Sequence, residues 1–304
     1  MFLDFNGILY DYFDGETDLK NKVIRFVGEA EARIREDYLR IFRYFRFHAR
    51  FGSAAKHDLE TLTTIRDNLN GLEKISGERI WTEMKRILVI RNCFDVIDVM
   101  LNDIQIGKHM GFRPHSQPIN FDERSETENY CKDLSEFKKI LSNLTSGVDS
   151  GLIKGWEAST LFASLIEDPE ELLGVVKRLK LSNVERDSIL YIIKNRENFG
   201  NYRLSDFKKQ LALTKKPEQN KMRQSIIDCM KYCGLFDQIS TLSKWTIPDF
   251  PFTGLLVKGR VNNSKLIEIV LNELKMFWVN SEFKCTEDDL KLELEKVLTK
   301  QKYK

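Results

Sequence analysis

From residue 29 onward, apolar side chains recur at three- and four-residue intervals, the spacing that gathers them on one face of an α-helix. The pattern predicts helices over 29–51, 56–67, 76–92, 93–107, 133–144, 156–167, 169–180, 182–198, 203–213, 217–234, 262–280 and 286–299. Prolines at 114, 118, 169, 217, 248 and 251 fall where such helices begin or end, because proline lacks the N–H that an interior position must donate. No fixed period repeats along the chain, which argues against a stacked solenoid. The first 28 residues read differently. Phe2–Phe5 and Ile8–Tyr10 flank Asn6-Gly7, a dipeptide suited to a type I′ hairpin turn, and Val23–Val27 is a short β-like run stopped by Gly28. A lone hairpin is marginal in water, so these strands must either pack on the helices or complete a larger sheet. The segment 111–130 reads as a linker and 245–261 as a second irregular stretch.

Of the 304 residues 42% are hydrophobic, enough to bury one or two cores, so wholesale disorder is excluded. Lys and Arg number 48 against 46 Asp and Glu, a net charge of +2, and any polyanion partner must therefore be held by local clustering. The five cysteines have no repeated spacing and fit reduced thiols in an intracellular protein. Cys229 and Cys233 lie one helical turn apart, yet no second Cys/His pair completes the four ligands of a structural zinc. No apolar run approaches the roughly 20 residues needed to span a bilayer. Asp4, Asp11 and Asp14 interrupt any secretory pattern at the N-terminus.

The densest chemistry lies in Arg33–Arg50. On one continuous helix Asp37, Arg40, Arg43, Arg46 and Arg50 form a single polar stripe, with Ile41, Phe42 and Phe45 covering much of the rest. Guanidinium groups hold phosphate oxygens bidentately and keep their charge, which suits a triphosphate or an RNA backbone. The same arginines could equally pair with Glu29, Glu31, Glu36 and Asp37 as a solvated face. Asp37 and Arg40 allow a sharper reading. A carboxylate accepts from the exocyclic amino group of C or A while a guanidinium donates to the neighbouring ring nitrogen, and U and G present the opposite polarity. The plain alternative is an i,i+3 ion pair worth about 0.2–0.5 kcal/mol. His48, His57, His109 and His115 have no Ser or Cys partner in a nucleophile pattern, and no glycine spacing makes a phosphate-binding loop. The basic run from Lys296 to Lys304 reads as a frayed helix end.

Three stretches, Asp11–Leu19, Arg25–Gly28 and Arg35–Phe47, resemble successive motifs of the class II tRNA nucleotidyltransferase (CCA-adding enzyme) family. Ile75–Met84 resembles the next motif, and Phe250-Pro251-Phe252-Thr253-Gly254 with Trp278 and Ser281 resembles the C-terminal region of eukaryotic, mitochondrial-type members. The set runs in the family's order over nearly the whole chain. It implies that Asp37 and Arg40 read the base of CTP or ATP, and that Arg43 and Arg46 help hold the nucleotide. It also implies that Asp11, Gly15 and Asp18 belong to a motif acting between head and neck, with Asp18 an interdomain hydrogen-bond partner. The tRNA acceptor arm is the implied partner, bound by helical domains in which lysines and arginines of 203–231 and 258–265 are the candidates.

One departure matters. Family members carry an upstream Asp-x-Asp whose carboxylates hold Mg²⁺, and this sequence contains no Asp-x-Asp. The resemblance therefore implies a chain that starts within the last strands of the catalytic sheet and is inactive as given. The expected fold is mainly α and elongated, with a head-sheet remnant over 1–28, a neck over 29–105, a body over 106–230 and a tail over 231–304. The expected function is CCA addition to tRNA, with this chain supplying nucleotide selection and RNA binding. The alternatives are a poly(A) polymerase of the same superfamily and a non-catalytic RNA-binding protein. The family implies a mitochondrial or cytosolic–nuclear location and no membrane association.

Overall fold

A computed structural model describes residues 1–51, 57–91, 93–114, 130–144, 157–252, 257, 260 and 264–302, with backbone only at 143, 144 and 300–302. The expected linker 111–130 and the irregular stretch 245–261 lie partly outside these residues. The fold is mainly helical and divides into two compact units, Met1–Arg196 and Glu197–Lys304. No described helix is long and apolar enough to cross a membrane.

The first unit opens with the hairpin, β1 (Phe2–Leu3) antiparallel to β2 (Leu9–Tyr10), with Phe2 opposite Tyr10 and Leu3 opposite Leu9. Its turn is not the two-residue type I′ that Asn-Gly suggests. Gly7 has φ 83° while Asn6 does not share the positive φ. The Asp4 carboxylate accepts from the N–H groups of Asn6 (2.9 Å) and Ile8 (2.8 Å), and this Asx geometry widens the loop to five residues. Nearby, one element is new and one expectation fails. Residues 15–21 form a helix, α1 (Gly15–Asn21), because the Asp11 carboxylate accepts from Gly15 N (2.9 Å) and Glu16 N (2.8 Å) at its start. Val23–Val27 is not a strand, for no neighbouring strand offers it a ladder.

Then follow α2 (Ala30–Glu36), α3 (Arg40–Phe51), α4 (Leu59–Asp67), a 3₁₀ turn (Leu69–Lys74) and α5 (Gly77–Leu88). Asp58 caps α4 by accepting from Thr61 N at 2.8 Å. α3 packs against α5, with Ile41, Phe42, Phe45, Ile80, Met84 and Ile87 fully buried. The helix expected over 93–107 is interrupted: α6 (Phe94–Asp98) runs into a π turn (Val99–Asp103), Gln105 takes φ 56°, and α7 (Gly107–Met110) restarts the chain. α8 (Ser135–Leu144), α9 (Ala158–Phe162), α10 (Pro169–Leu179) and α11 (Asn183–Asn195) complete the unit. α10 begins with Asp168 as cap and Pro169 in the first turn, and α11 with a Ser182–Glu185 capping box. The close approach of α5 to α10 depends on Gly77, where a Cβ would lie 1.9 Å from the carbonyl oxygen of Arg178.

An ionic clasp joins the chain on both sides of 115–129 to the start of α10. Glu171, fully buried, accepts from Lys132 Nζ (2.5 Å) and the backbone N–H of Arg113 (3.1 Å) on one oxygen and from Glu167 N (2.9 Å) on the other. The Arg113 guanidinium pairs with Asp168 and Glu170 beside it.

The second unit holds α12 (Leu204–Leu213), α13 (Gln219–Tyr232), α14 (Phe236–Lys244), α15 (Ser264–Asn280) and α16 (Glu287–Lys302). Ala212, Val270, Leu274, Trp278, Leu290, Leu294 and Val297 are buried in one apolar cluster there. α14 is unforeseen in the sequence pattern, since Leu242 is its one fully buried residue and the apolar signal is short. Gly234, at φ 77°, reverses the chain after α13, and Leu235 N closes on Met230 O at 2.8 Å.

Replacing Lys132 by Met leaves the buried Glu171 carboxylate without its cation, and we expect a loss of about 3–5 kcal/mol in urea unfolding. Adding Glu171→Gln, which removes the stranded charge and keeps an acceptor for one of the two backbone N–H groups, is expected to restore part of it. Equal losses in the single and double variants would refute the charge argument.

Candidate functional site

The helix expected over 29–51 is broken at Asp37–Leu39, and Asp37 is therefore not on the arginine stripe of α3. Its backbone is extended (φ −154°, ψ 102°), its carbonyl accepts from Arg40 N (2.9 Å) and its carboxylate accepts from Leu39 N (3.1 Å). Asp37 acts as the cap that starts a second helix, the alternative that short acidic side chains offer a backbone. The break also needs room. The Tyr38 ring lies where Gly71 has no side chain, and a Cβ there would sit 1.9 Å from the ring.

The i,i+3 ion pair between Asp37 and Arg40 does not form. Arg40 instead reaches Glu36 at 2.9 Å, which Arg33 also holds at 2.7 Å. Asp37 is taken by Arg79 of α5, whose Nη2 lies 3.1 and 3.3 Å from its two oxygens. Arg43 stands between two carboxylates, 3.8 Å from Asp37 and 3.9 Å from Glu83. Glu83, with 5% of its side chain exposed, also accepts from Arg46 Nε (2.7 Å) and Arg86 Nη1 (3.1 Å).

Arg79, Glu83 and Arg86 therefore belong to the same cluster as Asp37, Arg40, Arg43 and Arg46. Periodicity on α3 could not point to them, because they lie about 40 residues on; Arg79 and Glu83 fall inside the Ile75–Met84 motif. Six guanidiniums face three carboxylates, an excess of three positive charges. The carboxylates aim the arginines, as internal pairing expects, and the surplus charge suits a polyphosphate. Arg43, Arg79 and Arg86 keep 43%, 48% and 59% of their side chains exposed, so the cluster opens to solvent. Arg50 lies instead over the ring of Phe51, 5.2 Å from its centroid.

Behind the stripe, α3 rests on aromatic packing. Tyr44 stacks on Phe26 (5.6 Å) and its hydroxyl meets His57 Nδ1 at 3.0 Å, while the His48 and His57 rings stack with centroids 3.6 Å apart. Burial, reinforced by His48, lowers the His57 pKa to about 4. On the far side of α5, Glu185 accepts from Trp81 Nε1 and Lys85 Nζ, each at 2.9 Å. Burial alone would raise its carboxyl, but hydrogen bonds from Ser182, Lys85 and Trp81 override that and hold it at about 2. In the N-terminal motif, Asp18 pairs with Arg25 at 2.7 Å and Asp11 and Gly15 meet at the start of α1. Among the described residues no group of three or more His, Cys, Asp or Glu side chains converges as a metal site.

Comparison with known proteins adds to this geometry. Residues 56–103 match the family model described as the probable RNA and SrmB-binding site of polymerase A. The chain is 34% identical over 302 residues to the CCA tRNA nucleotidyltransferase 1, mitochondrial, of Mus musculus, an alignment covering 95% of this chain and 62% of that protein. The Homo sapiens protein of the same name is 33% identical over 297 residues, again with 95% and 62% covered. Among solved structures, a CCA-adding enzyme in complex with ATP matches with a TM-score of 0.58 at 21% identity, over 97% of this chain and 67% of that one. The Thermotoga maritima CCA-adding enzyme complexed with tRNA matches with a TM-score of 0.55 at 20% identity, over 97% and 68%. These two likenesses establish the fold.

Two outcomes follow from the cluster and its backing. Glu83→Ala removes the shared acceptor of three arginines, and we expect a loss of about 1.5–3 kcal/mol in urea unfolding; a change within a few tenths would mean that the arginines do not depend on it. Between pH 6.5 and about 4 the unfolded chain binds a proton at His57 that the folded chain refuses, so stability should fall as pH is lowered through that window. The unfolding midpoint of the His57→Gln variant should depend less on pH over the same range. An unaltered dependence would rule His57 out as its source.

Proposed function

We propose, from 34% identity to the mouse CCA tRNA nucleotidyltransferase 1 over 95% of this chain, that the chain serves CCA addition to tRNA by selecting CTP and ATP and by binding RNA. It spans about 62% of the length of the mouse and human relatives, so the activity of a whole protein is part of the proposal. The observation that carries it is the meeting of Asp37, Arg40, Arg43 and Arg46 with Arg79 and Glu83 in one positively charged cluster. Asp37 is engaged by Arg79 and Leu39 N, yet a carboxylate offers about four lone-pair sites, and one remains for the exocyclic amino group of C or A. Arg40 uses one nitrogen on Glu36 and has further N–H groups for the adjacent ring nitrogen. Arg43 and Arg46, aimed by Glu83, take the phosphates.

Asp11, Gly15 and Asp18 are assigned to movement between head and neck. The division into head remnant 1–28, neck 29–105, body 106–230 and tail 231–304 is likewise part of this reading, as are the tRNA acceptor arm as partner and a mitochondrial or cytosolic–nuclear location. Mg²⁺ is expected for nucleotidyl transfer in this family. The described residues bring together no group of three or more His, Cys, Asp or Glu side chains that could hold it. The match of residues 56–103 to an RNA-binding model favours, as second reading, a non-catalytic RNA-binding protein.

The test is incorporation of labelled CTP and ATP into tRNA lacking its CCA end. The 304-residue chain is expected to give none, and a chain extended upstream by the family's metal-binding segment is expected to add both. In that extended chain Asp37→Ala removes a charged hydrogen bond worth about 1.5–3 kcal/mol, roughly one to two decades of discrimination. CTP and ATP use should fall together. Loss of one nucleotide alone would overturn the shared reading, and an inactive extended chain would favour the non-catalytic one.

A further inference from the structure

Away from the arginine cluster, the first unit contains a cavity of about 400 Å³ bounded by α4, the 3₁₀ turn, the π turn and α7. Leu69, Ile104 and Tyr130 give it apolar surface, and Arg66, Asn70, Gln105, Lys108 and His109 give it polar surface. The polar side chains are mostly unspent. Arg66 donates one N–H to the carbonyl of Asp103 at 2.9 Å. Among the described residues the side chains of Asn70, Gln105 and Lys108 make no hydrogen bond or ion pair. His109 is buried, and burial, with Lys108 and Arg178 nearby and Glu73 acting in the opposite sense, holds its imidazole below the usual pKa.

The backbone around the cavity is also unusual. The π turn Val99–Asp103 interrupts the helix there; Gln105 ends it in the left-handed conformation at φ 56°, with Ile106 N closing on Met100 O at 3.0 Å. Such departures concentrate where a chain must present groups to a ligand.

The donor set indicates the ligand's chemistry. Arg66 and Lys108 can only donate, and the amides of Asn70 and Gln105 each add N–H donors, against the one carboxylate of Asp103 on the rim. Such a set suits an anion with additional polar edges. A volume of about 400 Å³ exceeds what a bare phosphate fills and lies at the lower end of pockets that hold small organic molecules, roughly 300–1,000 Å³.

We propose that this cavity binds one nucleoside-phosphate unit of an RNA chain, with Arg66 and Lys108 on the phosphate and Asn70 and Gln105 on the polar edge of a base lying against Leu69 and Ile104. An RNA source is favoured over a free nucleotide because Arg66, Leu69, Asn70 and Ile104 lie within or directly beside the segment 56–103 that matches an RNA-binding model. The proposal rests on the reading that this chain binds RNA. It is independent of nucleotide selection at Asp37.

The test titrates the chain with AMP, with a single-stranded oligoribonucleotide and with tRNA at several salt concentrations, alongside Lys108→Glu and Asn70→Asp. Both positions are exposed and, among the described residues, without side-chain hydrogen bonds or ion pairs, so the variants should keep the wild-type unfolding midpoint. Each is expected to weaken oligoribonucleotide binding about tenfold, and Lys108→Glu to lower the salt slope by about one. The same charge change at exposed Lys139 should have little effect. AMP should bind more weakly than the oligoribonucleotide. Wild-type RNA affinity in both variants would overturn the cavity assignment while leaving RNA binding by the chain intact. AMP binding as tight as the oligoribonucleotide, and equally sensitive to the variants, would overturn the RNA source. Absence of RNA binding by the unaltered chain would overturn both this proposal and the reading beneath it.

Discussion

A carboxylate taken out of water must be repaid by cations and hydrogen bonds, and Glu83 is repaid by three guanidiniums from two helices. That requirement fixes much else. Arg79, Glu83 and Arg86 fall on one face of α5 and tie it to α3, while Ile80, Met84 and Ile87 on another face enter the core. Trp81 and Lys85, on a third side, reach Glu185 of α11. A single helix of 12 residues therefore sets the spacing of the arginine cluster and anchors it to the helices behind. The arginines of α3 are aimed from outside their own helix, and this explains how a stripe of like charges stays ordered.

Much of this was legible in the sequence where the physics is local. Apolar periodicity located α3, α4, α5, α10 and α11, and proline and capping residues marked several of their starts. The dense run Arg33–Arg50 contains four of the six arginines that the structure gathers into one ion-pair cluster. What the pattern missed depends on competition with groups distant in sequence or on backbone chemistry that periodicity does not record. Apolar spacing continues smoothly through Asp37, so one long helix was the natural expectation. Yet the Asp37 carboxylate caps a new helix and Arg79, 42 residues on, fixes its orientation. Asn6-Gly7 carried a turn signal that the Asp4 side chain overrode. The π turn at Val99–Asp103 and the left-handed Gln105 leave no trace in hydrophobic spacing. α14 was too short and too little buried to register.

The placement of Asp37 outside both flanking helices separates two properties that an unbroken helix would join. On a continuous helix its direction would follow the rotation of α3 about its axis. With extended backbone at Asp37, the carboxylate answers to Arg79 and to Leu39 N, while Arg40 answers to Glu36. Asp37 and Arg40 are thus held by different partners and can be adjusted separately.

The clasp at Glu171 gives two stretches separated along the chain one shared anchor. One carboxylate oxygen receives the Arg113 backbone and the Lys132 ammonium, so two residues 19 positions apart are pinned to the same helical turn. Where each of them lies is therefore set by the first turn of α10 and not by the residues that join them in sequence.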